Sequence, residues 1–172
     1  MIHEGQSDKT AFILNTVYFS SYKLTPGDTR QMMNFRLADD ILGLRSILLR
    51  TSDHTIEPIT PVKASEVQAS ELLNVFALMP LTATTVLWAA SRAEAMLVEH
   101  LVRLDRRHAR KWTTHLLLQL AARLRLVGLG GKMGYACHLS EYMLTKALGF
   151  GAVHINRVLR EPREGRLVRF SK

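Results

Sequence analysis

The chain of 172 residues has a single cysteine, Cys137. An internal disulfide is therefore excluded, and a lone thiol fits a reducing cytoplasm. An iron–sulfur cluster held by this chain alone is excluded as well, since such clusters take about four thiolates. Uninterrupted apolar sequence is scarce. The longest run, "VFALMPLTATTVLWAA", carries a proline and three threonines. It does not supply the roughly twenty clean apolar residues of a membrane-spanning helix. The opening "MIHEGQSDKT" lacks the basic, apolar and small-residue succession of a secretory signal. Internal repeats and low-complexity tracts are missing too. Near-zero mean hydropathy predicts a soluble globular protein with no membrane partner, long enough for one ordinary core or two small domains.

Catalytic and metal-binding arrangements are also lacking. His100, His108 and His115 are eight and seven residues apart without carboxylate or cysteine partners, which is no zinc-ligand spacing. Cys137 and His138 are chain neighbours in a Gly-rich loop, and adjacency does not give a nucleophile its base. Gly128-Leu129-Gly130-Gly131 has no following Lys-Ser/Thr and no strand–helix setting, as a phosphate loop requires. Adjacent carboxylates at Asp39 and Asp40 would point to opposite faces of an extended segment. No enzyme activity and no cofactor are expected.

What is present is an uneven charge. Residues 1–100 hold 8 Lys and Arg against 11 Asp and Glu, whereas residues 101–172 hold 15 against 4. The second part, at +11, is fit to meet a polyanion, although a solvated basic face has the same composition. The pattern divides at a similar place. Residues 11–60 read as short strands and turns: "AFILNTVYF", a turn at "TPGD", "RQMMNFRL", "ILGLRSILL" and "HTIEPITPV". Turn residues about every ten positions predict a small antiparallel sheet or roll. Helical spacing follows from about residue 66, with Ser65 as the expected cap and Pro80 as the stop.

From Leu81 to Leu104 the chain predicts one long helix, roughly 36 Å at 1.5 Å per residue. Val86, Ala90, Ala93, Leu97, His100 and Leu104 alternate spacings of four and three, the seam of paired helices. The same stripe could cover the protein's own sheet, and one helix can do both. Dimerisation is expected through Val86, Ala90, Ala93, Leu97 and Leu104. In "ARKWTTHLLLQLAARLRLVGLGG", Leu116, Leu120, Leu124 and Val127 form a buried stripe that Gly128, Gly130 and Gly131 terminate. Arg106, Arg107, Arg110 and Lys111 precede it on exposed turns.

The richest stretch is "LSEYMLTKALGFGAVHINRVLRE". Ser140 is placed to cap a first helix, Leu144, Ala147 and Leu148 share one side, and Gly149 allows a left-handed turn. Phe150 and Gly151 lead to a second helix with Ile155, Val158 and Leu159 facing inward. Two helices joined by a tight glycine turn make a helix-turn-helix, whose second helix fits the major groove of DNA. Ala152, Val153, His154, Asn156, Arg157 and Arg160 are left for its outer side. Arginine pairs with guanine and asparagine with adenine through two-pronged hydrogen bonds.

"LSEYMLTKALGFGAVHINRVLREPREGRLVRF" resembles the DNA-binding end of the Crp/Fnr family of bacterial transcription regulators, with Val153-His154-Ile155-Asn156-Arg157 at the core of the recognition helix. The likeness extends over "LWAASRAEAMLVEHLVRLDRRHARKWTTHLLLQLAARLRLVG", similar to the family's dimer helix and its successor. More loosely it covers "YKLTPGDTRQMMNFRLADDILGLRS", similar to strands of the cyclic-nucleotide-binding-like roll. The resemblance implies DNA contacts at Ser140, Gly151, Ala152, Val153, His154, Asn156, Arg157 and Arg160. Departures are specific. Only about twenty residues precede the roll-like segment, Ala38-Asp39-Asp40 replaces the family's proline-glycine-aspartate turn, and Leu44 and Arg45 follow Gly43 without the ribose-binding glutamate. The run that holds a cyclic phosphate is replaced by "TSDHTIEPIT", and Pro162 stands where the recognition helix should continue, so the helix is expected to end there. The chain stops at "LVRFSK", after the expected first strand of a wing.

The sequence thus predicts an α+β protein: a small antiparallel β-roll remnant over 1–78, a dimerisation helix over 79–108, and a C-terminal (winged) helix-turn-helix DNA-binding domain over 109–172. The function expected is a cytoplasmic, homodimeric transcription regulator reading a palindromic operator in double-stranded DNA, with RNA polymerase as a further partner. The alternative is a protein-interaction module that dimerises with related regulators without strong operator binding.

Overall fold

The computed structural model describes residues 1–7, 9–15, 18–27, 29–103, 109–132 and 134–165, except the side chains of Arg103 and Glu161. The chain forms two compact units, Met1–His100 and Leu101–Lys172.

The first unit is built from two three-stranded antiparallel sheets. One has β1 (Thr10–Leu14) between β4 (Ile41–Leu42) and β6 (Ala64–Gln68). In the other, β2 (Phe19–Thr25) lies between β3 (Thr29–Arg36) and β5 (Thr55–Pro58). Both sheets supply the core: Leu14 and Leu42 from one, Phe19 and Ile56 from the other, with Ile2 and the partly buried Phe12. Burial of these β-branched and aromatic side chains on one face each explains why short strands persist here. Between β3 and β4 the turn is tied by Asp40, whose carboxylate accepts from the Leu37 N–H at 3.0 Å.

"ILGLRSILL" is not one strand. Only Ile41–Leu42 pairs, and α1 (Leu44–Leu49) follows. Gly43 is the cause: its φ is +75°, and a Cβ there would sit 2.6 Å from the Thr10 carbonyl oxygen. That turn redirects a run of apolar residues whose pattern fits strand or helix equally. The expected cap at Ser65 also fails. Residues Ala64–Gln68 pair in register with β1, Leu14 opposite Ala64 and Thr10 opposite Gln68. Ser65 instead accepts a hydrogen bond from the Asn15 side chain at 3.0 Å. The helix α2 (Ala69–Leu78) begins after Gln68, whose N–H donates to the Glu71 carboxylate at 2.8 Å.

Pro80 opens the next helix, α3 (Pro80–Arg103), at a position where no N–H is needed. The axes of α2 and α3 bend by 119° at the break. No single described helix is long and apolar enough to cross a membrane.

The second unit packs α4 (Ala109–Leu126), α5 (Glu141–Leu148) and α6 (Ala152–Glu164) on one another. Leu116, Leu120 and Leu124 of α4 are buried as the stripe predicts, while Val127 is half-buried. Gly128, at φ +74°, turns the chain out of α4, and the Leu129 N–H returns to the Leu124 carbonyl at 2.8 Å. A small hairpin, β7 (Gly130–Gly131) with β8 (Gly134–Tyr135), joins α4 to α5. The Tyr135 hydroxyl anchors it by donating to the Leu117 carbonyl at 2.7 Å. Arg106, Arg107, His108 and the expected wing strand at 167–170 lie outside the described residues.

Candidate nucleic-acid interface

The backbone at Ser140 is extended, and its hydroxyl accepts from the Met143 N–H at 3.3 Å, capping α5. Glu141 in the first turn and Lys146 in the last complement the helix dipole. Leu144, Ala147 and Leu148 are buried. Gly149 at φ +68° makes the left-handed turn that closes the helix, and Phe150 and Gly151 lead directly into α6.

On α6, Ile155 and Leu159 are both 0% exposed. Val153 is 86% exposed, and Gly151, Ala152, His154, Asn156, Arg157 and Arg160 are exposed as well. The outer row expected from spacing is therefore on the surface as one face, beginning at the helix N-terminus. His154 stacks on the buried ring of Phe150, with centroids 5.4 Å apart at 25°. Arg160 donates to the Glu164 carboxylate at 2.9 Å, one turn ahead. Arg163 donates to the Asn156 side-chain oxygen at 3.3 Å and forms an ion pair with Glu141 of α5.

Pro162 does not end α6, which continues to Glu164. A proline keeps a helical φ; it forfeits its own N–H and crowds the carbonyl four residues back, here only in the last turn of the helix. The pairs from Arg160 to Glu164 and from Arg163 to Glu141 hold the turn on both sides of it.

Among the described residues of this unit, Cys137 and Tyr135 are held in their protonated forms. Burial pushes the Cys137 thiol up, so it stays protonated near neutral pH. Burial likewise raises the Tyr135 phenol. Exposed Arg110, Lys111, Arg125 and Lys132 provide cationic surface.

The residues of the seam expected on α3 differ in exposure within the single chain. Val86 is buried by its own chain, Ala93, Leu97 and His100 are half-buried, Ala90 is exposed, and Leu104 lies outside the described residues. A second row is exposed throughout: Leu81, Thr84, Trp88, Ser91, Ala95, Val98 and Val102. Its spacings also alternate three and four, which the sequence carries but which Thr84 and Ser91 disguise. Trp88, 59% exposed, is held by Arg92, whose guanidinium lies 5.5 Å from the ring centre.

In the first unit, Arg45 pairs with Asp53 at 2.6 Å, and Asp53 bonds the buried His54 ring at 2.7 Å. Burial would raise the Asp53 carboxyl, but the His54 hydrogen bond and the His54 and Arg45 charges outweigh it and hold the group below the usual range. The Arg36 guanidinium, buried nearby, is pushed down by its burial, against the opposing pull of Asp40.

The sequence matches no protein-family profile and no curated protein. Solved structures do match. FixK2 from Bradyrhizobium japonicum is 21% identical, and the match covers 100% of this chain and 83% of that one, with a TM-score of 0.84. A CRP-family transcriptional regulator from Thermus thermophilus is 16% identical over 100% of this chain and 84% of that one, at 0.75. The c-di-GMP-responsive global regulator CLP from Xanthomonas campestris is 14% identical over 100% and 86%, at 0.71. The fold is that of the Crp/Fnr regulators. The mixed antiparallel roll and helices expected from the sequence are thereby established.

Proposed function

We propose that the protein is a sequence-specific DNA-binding transcription regulator of the Crp/Fnr type that acts as a homodimer, and is not an enzyme. One observation carries this reading. Helix α6 buries Ile155 and Leu159 completely and turns Val153, His154, Asn156, Arg157 and Arg160 outward, directly after the glycine turn from α5. Its exposed row has the donors that fit base edges, and its first turn is free to enter a major groove. Arg110, Lys111, Arg125 and Lys132 supply phosphate attraction without sequence preference.

Two copies join through the exposed row on α3, from Leu81 through Trp88 and Val98 to Val102. They present two copies of α6 to successive major grooves about 34 Å apart. In this division residues 1–78 form the sensor roll, 79–108 the dimer helix and 109–172 the DNA-binding domain. The same apolar row would also suit pairing with a related regulator, which is the interaction-module alternative. Selection of bound sites from a random DNA pool, followed by gel shifts at two salt concentrations, separates the two. A regulator enriches an inverted repeat. An interaction module enriches nothing and binds every sequence alike.

A further inference from the structure

Asn156, an outward residue of the recognition helix, is not alone in that position. Seven residues further on, at 100° per residue, Arg163 returns to almost the same side of α6. Helical side chains lean toward the N-terminus, so its guanidinium reaches back along the helix. One arm, Nη1, donates to Oδ1 of Asn156 at 3.3 Å. The other, Nη2, donates to Oε1 of Glu141, in the first turn of the preceding helix. The three side chains thus run from α5 to the end of α6 and back to its outer face.

We infer that Arg163 is a positioning residue for base reading, fixing the Asn156 amide in the orientation that presents its donor side to a base edge. This rests on the DNA-binding reading of α6. Pairing with adenine needs one acceptor and one donor from the same amide, held in one plane. An unheld amide can turn about its last torsion and exchange oxygen for nitrogen. The Arg163 N–H takes one lone pair of Oδ1, so the oxygen is fixed on the Arg163 side of the amide. The second lone pair and both Nδ2 hydrogens are left for the base. Glu141 keeps the guanidinium in place, and its charge largely cancels that of Arg163, so this arginine is poorly suited to hold a phosphate. A forked guanidinium can serve two acceptors at fixed geometry, which a lysine ammonium cannot do in the same way.

The test is a base-resolved preference profile on the selected operator, measured for wild type, Asn156→Ala, Arg163→Ala, Arg163→Lys and Glu141→Gln, with melting temperatures alongside. Asn156→Ala identifies the base pair at which preference collapses. Arg163→Ala and Arg163→Lys are expected to lose about tenfold at that same base pair, with other positions and the salt slope unchanged. Arg163→Lys keeps a cation beside Glu141 and so retains the folded unit should the alanine variant melt. Glu141→Gln keeps an acceptor for Nη2 and is expected to retain most of the preference. An unchanged profile in Arg163→Lys overturns the inference alone. So does a uniform loss of affinity with a salt slope lower by about one, which marks a phosphate contact. If wild type selects no site at all, the regulator reading falls first and takes this inference with it.

Discussion

Val86 and Trp88 stand two residues apart on α3 and point to opposite sides: Val86 is 7% exposed and Trp88 is 59% exposed. Two residues turn a helix by about 200°. The Val86 side chain is therefore taken up by the chain's own packing, and the Trp88 side, in solvent, is the one proposed for a partner copy.

Charge placed on the exposed row is expected to split the dimer without unfolding the protomer. Trp88→Glu with Val98→Asp would bury like charges against each other in the paired state, while both side chains are already in solvent in the single chain. Light scattering should report half the wild-type mass, with an unchanged circular dichroism spectrum. A wild-type mass for the double variant would locate the interface elsewhere.

Arg160 differs from Arg157 in where it sits and what it holds. Its neighbour one turn ahead is Glu164, to which it donates at 2.9 Å. An exposed pair of this kind is worth little by itself and yields readily to a phosphate. Arg160→Ala is expected to weaken operator and random DNA alike and to lower the salt slope by about one. Fluorescence anisotropy titrations across a salt series measure both. A selective loss on the operator would make Arg160 a base reader instead.

The roll should not bind cyclic AMP or cyclic GMP. Leu44 offers no carboxylate to a ribose, and Arg45 is already paired with Asp53 at 2.6 Å. A cyclic phosphate placed in such a roll without a partner would cost several kcal/mol. Calorimetric titration is expected to show no heat in the micromolar range. Micromolar binding of either nucleotide would contradict this.

Asp53 links the roll to acid stability. Its folded value lies below the ordinary carboxylate range, because the His54 bond and the nearby charges outweigh burial. A depressed folded value contributes stability above the unfolded pKa of about 4, and this is lost as pH falls through the folded value. The melting temperature of Asp53→Asn should therefore fall less than that of wild type between about pH 5 and pH 3. Parallel melting curves for the two proteins would show that Asp53 is not the group titrating.

The helix-turn-helix was legible because each of its signals is local. Ser140 caps, Gly149 turns, and Ile155 and Leu159 repeat at helical spacing, with nothing distant needed to place them. Elsewhere distant partners decide. Ala64–Gln68 looks like the start of a helix and becomes a strand because β1 lies beside it, with side chains so largely exposed that no alternation marks it. Leu44–Leu49 is turned out of the sheet by Gly43 and the Thr10 carbonyl. On α3 two rows share the same three-four spacing, and only the packing of Val86 distinguishes the inner from the outer. At Pro162 the sequence predicts a stop, and the two flanking ion pairs are side-chain matters that spacing does not reveal.

The most direct measurement concerns Arg157, exposed on α6 about 200° around from the fully buried Ile155. Affinities of wild type and Arg157→Ala are compared on the selected operator and on random DNA at one salt concentration. For an arginine that reads a base edge, the substitution costs about 1–3 kcal/mol on the operator and little on random DNA, so the specificity ratio falls. Wild-type affinities on both DNAs would contradict the assignment of α6 as the recognition helix.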